Sequence, residues 1–157
     1  MRPNYFIIPL IVIGVSTLGS WFTGQGVDTW YQTLNLPGWT PPGSFIGLVW
    51  TILYVLIAIS ALVLWNRARR GRRFWLIIGV FLLNAFLNAF WSYLFFTRNS
   101  LFLAFLDIIA LEASIIVLII LIWKVSRSAS ALLWPYALWV AFAGYLNYII
   151  WQLNSLT

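Results

Sequence analysis

Apolar residues occur in five long runs along the chain, and short polar or proline-rich segments separate them. Each run is long enough to cross a bilayer as an α-helix, which needs about 20 mostly apolar residues. Because the runs take up most of the chain, we expect one all-α membrane domain over residues 1–157, a five-transmembrane-helix bundle. The predicted helices are Tyr5–Thr23, Ser44–Trp65, Phe74–Phe96, Leu101–Trp123 and Ala131–Leu153.

The segments between the runs predict how the helices connect. The longest is the loop of residues 24–43, which contains VDTWYQTL, a stretch compatible with a short surface helix with Asp28 as its N-cap. The segment TRNS, between the third and fourth runs, is so short that these two helices must form an antiparallel hairpin.

Basic residues predict the orientation of the bundle. Arg2, Lys124, Arg127 and the five arginines of RARRGRR (residues 67–73) fall on one side, whereas Arg98 falls on the other. Because cytoplasmic loops carry the excess of Lys and Arg, the N-terminus is predicted inside and the C-terminus outside, with loop 24–43 outside. The net charge of +6 is typical of a basic juxtamembrane loop, and no nucleic-acid partner is expected.

The composition excludes several kinds of chemistry. Apolar residues make up 63% of the chain and charged residues 8%, so too little polar surface remains for a water-exposed fold. Cysteine and histidine are absent and only three residues are acidic, which argues against disulfides, familiar metal sites and conventional general-base catalysis. No metal and no obligatory cofactor is therefore expected.

Four hydrogen-bonding residues on four different helices fall at a similar depth. Trp50, Asn88, Asp107 and Asn147 each lie about 9–12 Å from the outer ends of their helices, at 1.5 Å per residue. Polar residues within the membrane usually face the bundle interior. Two interpretations stay open for the asparagines: hydrogen bonds between helices, worth about 0.6–2 kcal/mol each, or the wall of a pocket below the long loop.

Helical spacing places these residues on stripes that combine aromatic rings with small or amide side chains, a surface that admits a flat ligand. The stripes are Gly47, Trp50 and Tyr54 on the second helix, Asn84, Asn88, Trp91 and Phe95 on the third, and Trp139, Ala143 and Asn147 on the fifth.

The stretch LNLPGWTPPGSFIGLVW (residues 34–50) is both rigid and aromatic. Pro37, Pro41 and Pro42 fix the backbone and remove hydrogen-bond donors, which suits the start of a helix. We interpret the loop of residues 24–43 as a lid over the pocket, with Trp39 at its mouth. The alternative is a structural turn with interfacial tryptophans.

Three segments carry a resemblance to a known family. They are WYQTLNLPGWTPPGSFIGLVWTILY, LNAFWSYLFF and LLWPYALWVAFAGYLNYIIWQLN, and they occur in the expected order. The chain resembles the TspO/MBR family over about residues 5–154. This family comprises the tryptophan-rich sensory proteins and the translocator proteins, or peripheral benzodiazepine receptors.

The resemblance implies a homodimer in a bacterial cell membrane that binds protoporphyrin IX, haem-type tetrapyrroles or benzodiazepine-like drugs. It implies a pocket formed by Trp50, Tyr54, Asn88, Trp91, Phe95, Asp107, Trp139, Phe142, Ala143, Leu146 and Asn147, with Tyr31, Pro41 and Pro42 from the lid. It also implies light-dependent porphyrin degradation at Trp50 and Trp139. The basic residue that completes the animal cholesterol pattern is missing after Tyr148, which argues against cholesterol recognition.

Three functions remain open at this point. The first is a receptor or sensor for porphyrins, and the second is a light-dependent degrading activity in the same pocket. The third is a transporter of porphyrin or other amphipathic solutes, for which Glu112, near mid-membrane, is the one favourable feature.

Overall fold

Five spans of the computed structural model, which describes residues 3–155, are long and apolar enough to cross a membrane. No strand occurs within the described residues. The predicted all-α bundle with five spans is therefore confirmed. Arg2, used for the orientation, lies outside the described residues, and the inside–outside assignment stays a prediction.

The helix bounds agree closely with the apolar runs. The fourth helix has the predicted bounds, and the first two differ from prediction by one or two residues at each end. The helices are α1 (Asn4–Gly24), α2 (Gly43–Arg67), α3 (Arg72–Ser92), α4 (Leu101–Trp123), α5 (Arg127–Ala131) and α6 (Trp134–Asn154).

The third span ends in a π-helical turn, Tyr93–Thr97, which the apolar pattern did not predict. The Arg98 N–H donates to the Tyr93 carbonyl at 2.9 Å, five residues back. Such wider turns often occur at functional sites. After the turn, Asn99 takes a left-handed conformation with φ of 54°, and the chain reverses into α4. The antiparallel hairpin of α3 and α4 is confirmed.

The fifth span is two helices, which corrects the prediction of one helix from Ala131. The chain is already helical at Arg127, where the Ser126 hydroxyl accepts a hydrogen bond from the Ala129 N–H at 3.3 Å. The helix ends at Ala131 and a new one starts at Trp134, with Pro135 in its first turn, where a proline removes no intrahelical hydrogen bond.

The core is centred on α4. Leu111, Ile115, Leu118 and Ile122 are at most 1% exposed, and their spacing places them on one helical face. By contrast, α1 buries only Asn4 and Gly19 among its residues, so it lies at the periphery. Its loose packing leaves space between α1 and the helices α2 and α3, and two large cavities lie there among the described residues.

Candidate ligand-binding site

A cavity of about 1010 Å³ lies below the loop between α1 and α2, and we call it the main cavity. Its volume is at the upper end of the range for small-molecule sites, about 300–1,000 Å³. The walls come from α1, α2, α3, α4 and α6 and from the lid (residues 24–43). Three indole rings contribute to the walls, those of Trp50, Trp91 and Trp139.

Most residues singled out from the sequence meet around this cavity. The lining includes Tyr31, Pro41, Gly47, Trp50, Tyr54, Asn88, Trp91, Phe95, Trp139, Phe142, Ala143, Leu146 and Asn147.

Four of the singled-out residues do not line the main cavity, which corrects their assignment to its wall. Asn84 lies one turn from Asn88 and lines a second cavity instead. Asp107 is buried on α4 outside both cavities, and its Oδ2 has no hydrogen-bond partner among the described residues. Pro42 is exposed as the N-cap of α2, and Trp39 packs on the outer side of α6.

Sequence reasoning missed the contribution of α1 entirely. Ser16, Gly19, Ser20 and Thr23 line the main cavity at three- and four-residue intervals. A Cβ at Gly19 would lie 3.6 Å from Ser92 Oγ and 3.9 Å from the Tyr54 hydroxyl oxygen. Small and hydroxyl-bearing residues at this spacing are the signal that could have identified the face.

A directional chain of hydrogen bonds closes one end of the main cavity. The Tyr54 hydroxyl donates to Asn88 Oδ1 at 2.6 Å, and Asn88 Nδ2 donates to the Tyr136 hydroxyl oxygen at 3.2 Å. Tyr136 in turn donates to Asn84 Oδ1 at 3.2 Å, and Asn84 Nδ2 donates to Ser114 Oγ at 2.8 Å. The chain connects α2, α3, α6 and α4, and we call it the partition.

Asn147 both lines the cavity and joins helices, so the two interpretations left open for it, a pocket wall and hydrogen bonds between helices, apply at the same time. Its Oδ1 accepts a hydrogen bond from Trp91 Nε1 at 3.0 Å, and its Nδ2 donates to the Leu101 carbonyl at 3.0 Å. The amide therefore fixes the Trp91 ring in the wall. Asn88 has the same double role through the partition.

The lid is attached to the bundle along its length. Gly26 lies so close to the Phe96 carbonyl that a Cβ there would overlap it. The rings of Trp30 and Tyr31 pack on Phe95, with centroids 5.5 and 6.2 Å away. Burial there raises the pKa of the Tyr31 phenol above its ordinary value, so the ring enters the cavity as a neutral group.

The second half of the lid is attached to α6. The Asn35 N–H donates to Asn154 Oδ1 at 2.9 Å, and Asn154 Nδ2 donates back to the Asn35 carbonyl at 3.1 Å. Trp39 stacks on Tyr145 with a centroid distance of 5.7 Å and an interplanar angle of 12°. Its ring centroid also lies 6.0 Å from that of Phe142, so Trp39 holds the lid on α6 without itself lining the cavity.

The short helix expected in the lid is present in a tighter form than predicted. Trp30–Thr33 forms a single 3₁₀ turn, whose N-cap is Thr29 and has no side-chain cap hydrogen bond. Asp28 is therefore not the cap, because the regular helical turn that it would start is not formed.

The main cavity offers aromatic faces and little charge. No Asp, Glu, Lys or Arg lines it among the described residues. Trp139 packs edge-on against Phe45 and tilted against Phe142, with centroids 6.2 and 5.3 Å away. Its Nε1 is buried with no hydrogen-bond partner within residues 3–155, so this indole N–H is an unsatisfied donor in the wall.

Comparison with known proteins supports the family suggested by these residues. A family model described as the TspO/MBR family matches residues 6–152. The chain belongs to the TspO/MBR family. As in the resemblance drawn from the sequence, the match extends from α1 to α6, and the protein is an integral membrane protein.

Individual relatives of this TspO/MBR protein cover most of its length. It is 39% identical to "Tryptophan-rich protein TspO" of Bacillus cereus, over 80% of this chain and 81% of that protein. The protein of the same name from Archaeoglobus fulgidus is 38% identical, over 93% and 94% of the two chains. "Translocator protein" of Homo sapiens is 30% identical, over 87% and 82%.

Proposed function

We propose that this protein is a membrane receptor for porphyrins and related flat, hydrophobic molecules, which it binds in the main cavity. The proposal is carried by one observation: the main cavity has an indole ring in each of three walls and lies beneath a lid that is attached to α6. In the cell it would be a homodimer in a bacterial membrane, and benzodiazepine-like aromatic drugs would compete for the same cavity.

Aromatic contacts supply the binding energy in this proposal. Offset or edge-on aromatic pairs contribute about 0.5–1.5 kcal/mol each beyond the burial of their surface. Trp50, Trp139 and Phe142 offer such surfaces to a macrocycle, while Ala143 leaves room beside them.

The neutral lining favours a particular pose and a metal-free guest. The two propionates of a porphyrin would stay at the mouth near the lid, because a carboxylate is costly to bury without a cationic partner. The sequence contains no His or Cys to ligate iron, and the Tyr54 hydroxyl already donates to Asn88. The free-base macrocycle therefore fits better than haem.

The partition favours binding over passage. A solute moving along the bundle from the main cavity would have to separate Tyr54 from Asn88, the first hydrogen bond of the partition. Glu112, the residue that favoured transport in the sequence, lines neither large cavity among the described residues.

Light-dependent degradation is a further activity that we propose for the same site. A bound porphyrin that absorbs light would transfer energy to dioxygen, and the reactive oxygen species would oxidise the macrocycle. Trp50 and Trp139 would act as the residues that hold the ring and react with the excited guest. The protein would supply orientation, and the guest and dioxygen would supply the chemistry.

Titration with protoporphyrin IX tests the binding proposal. Absorbance and tryptophan emission are followed in the dark, for the wild type, Trp139→Phe and the control Trp134→Phe, whose indole is exposed and outside the cavity. We expect saturable binding, at least tenfold weaker for Trp139→Phe and unchanged for Trp134→Phe. Equal affinities in all three proteins would show that the cavity is not the site.

Photobleaching tests the degradation proposal separately. The rate at which bound porphyrin loses absorbance under light is compared for the wild type and for Trp50→Phe and Trp139→Phe, at saturating protein so that reduced affinity does not matter. We expect slower loss in both variants. If both leave the rate unchanged, the indoles take no part and the protein is a receptor alone.

A further inference from the structure

A second cavity, of about 640 Å³, lies between α1, α2 and α3 on the far side of the partition. We call it the inner cavity. Val12, Tyr54 and Asn88 line both cavities, so they are the boundary between the two. The receptor function proposed above uses the main cavity and leaves the inner one unexplained.

The inner cavity has the depth of one leaflet. Its lining extends on α1 from Pro3 to Val15 and on α2 from Tyr54 to Trp65. At 1.5 Å per residue, these stretches are about 18 Å and about 16 Å long. One leaflet contributes about 15 Å of hydrocarbon to a bilayer. An acyl chain therefore matches the cavity in length.

The side walls of the inner cavity are apolar and face the membrane. They consist mainly of aliphatic side chains, and Ile7, Ile11 and Leu82 among them are 53%, 43% and 55% exposed. Exposed apolar side chains of a membrane span meet lipid, so a chain can enter sideways. At the closed end, the polar groups of Tyr54, Asn84 and Asn88 form hydrogen bonds within the partition. Because these groups are already paired, an apolar chain end can lie against them.

The mouth of the inner cavity carries a positioned cation. The guanidinium carbon of Arg70 lies 4.5 Å from the centroid of the Trp65 ring and 4.1 Å from that of Phe74. These cation–π contacts hold the side chain at the mouth. Its N–H groups have no hydrogen-bond partner within residues 3–155, so the donor fork of the guanidinium remains for an anion.

The surroundings of Arg70 favour an anionic lipid. Arg69 lies in the same connection between α2 and α3, and Arg67, Arg72 and Arg73 lie at the helix ends that flank it. Clustered arginines beside a membrane span attract anionic headgroups. A guanidinium binds phosphate oxygens through two parallel hydrogen bonds. The apolar slot, one leaflet deep, matches the acyl chain of a phospholipid, and the arginine at its mouth matches the phosphate.

We propose that the inner cavity binds one anionic phospholipid, with an acyl chain between α1 and α2 and its phosphate on Arg70. The second acyl chain stays in the bilayer beside α1. The lipid fills the space that the peripheral position of α1 leaves, and it thereby stabilises the contact of α1 with the bundle.

Native mass spectrometry of the full-length protein in detergent tests the proposal. Phosphatidylglycerol and phosphatidylcholine with identical acyl chains are added at equal concentrations. We expect one phosphatidylglycerol per chain, bound at least tenfold more tightly than phosphatidylcholine. Inorganic phosphate at the same concentration should not displace it, because the acyl chain contributes to binding. Equal binding of the two lipids, or displacement by phosphate, would overturn the proposal.

Two matched pairs of variants locate the site. Arg70→Gln should reduce phosphatidylglycerol binding about tenfold, whereas Arg69→Gln, exposed in the same run but not in the lining, should not. Ala61→Phe fills the inner cavity and should weaken binding at least tenfold, whereas Ala58→Phe fills the main cavity and should not.

If Arg69→Gln and Arg70→Gln reduce phosphatidylglycerol binding equally, the arginine run attracts the lipid only in a general way. If Ala61→Phe binds phosphatidylglycerol as the wild type does, the lipid lies on the outer surface. Either result contradicts the proposal. If Arg70→Gln does not fold, the alanine pair still decides. Porphyrin titration separates the two sites, because Arg70→Gln and Ala61→Phe should leave porphyrin binding in the main cavity unchanged, whereas Ala58→Phe should weaken it.

Discussion

The Tyr54 hydroxyl lies 2.6 Å from Asn88 Oδ1, and this hydrogen bond joins α2 to α3 between the two large cavities. Both residues line both cavities. The bond is the first of the partition, so the orientation of every later donor depends on it. Asn88 Oδ1 accepts from Tyr54, which leaves Asn88 Nδ2 to donate to Tyr136.

Tyr54→Phe is therefore expected to destabilise the protein. The substitution keeps the ring but leaves the buried Asn88 oxygen without its donor, which costs about 1–3 kcal/mol. Thermal unfolding in detergent, followed by circular dichroism, measures the effect. Tyr145→Phe is the control, because Tyr145 is 58% exposed and stacks on Trp39 through its ring. Equal unfolding midpoints for the two variants would contradict a structural role for the partition.

Filling the main cavity is expected to remove porphyrin binding without unfolding the bundle. Ala143→Phe adds a ring inside the lining and should weaken binding at least tenfold, about 1.4 kcal/mol or more. Ala141→Phe is the matched control, since Ala141 is exposed on the same helix and outside the lining. Fluorescence titration with protoporphyrin IX compares the two. Similar affinities would place the porphyrin elsewhere on the protein.

The attachment of the lid at Gly26 is expected to control how long a ligand stays bound. Gly26→Ala places a methyl group on the Phe96 carbonyl, so the lid must shift away from the third span. Porphyrin should dissociate about tenfold faster, which stopped-flow fluorescence measures. Gly38→Ala is the control, because a Cβ there meets nothing within 4 Å. If both variants release porphyrin at the wild-type rate, the lid does not close the site.

Neutralising the propionates is expected to leave affinity nearly unchanged. Protoporphyrin IX dimethyl ester keeps the macrocycle but loses both charges, and no charged residue lines the main cavity among the described residues. We expect dissociation constants for the acid and the ester within about threefold, or ~0.7 kcal/mol. Displacement titrations at low and high salt measure the ratio. A much weaker ester would indicate a cation that reaches the propionates.

The spans could be predicted from the sequence because hydrocarbon thickness sets the length of an apolar run. For α4 both ends were correct, because polar residues follow Trp123 and precede Leu101 directly. The break between α5 and α6 and the turn Tyr93–Thr97 were missed. Both lie within apolar sequence, where hydrogen-bond geometry and packing, and not hydropathy, fix the backbone.

The site was predicted in part because depth along a helix follows from counting residues. The depth of a residue does not fix the direction in which it points around the helix axis. Asp107 therefore lies at the same predicted depth as Trp50, Asn88 and Asn147 but faces away from the cavity. Asn84 has the right face but lies one turn farther along α3, on the side of the partition that lines the inner cavity. The α1 lining was missed because hydropathy marks no face of that helix, and the spacing of its small and hydroxyl-bearing residues was not interpreted as a lining.

The reciprocal hydrogen bonds of Asn35 with Asn154 join residues 119 positions apart. During synthesis, the second half of the first loop therefore has no fixed seat until the final helix has entered the membrane. A nascent chain that stops short of α6 would hold neither Trp139 nor the anchor for that half of the cover. The proposed ligand capture would accordingly be a property of the finished polypeptide, acquired in its last step of insertion.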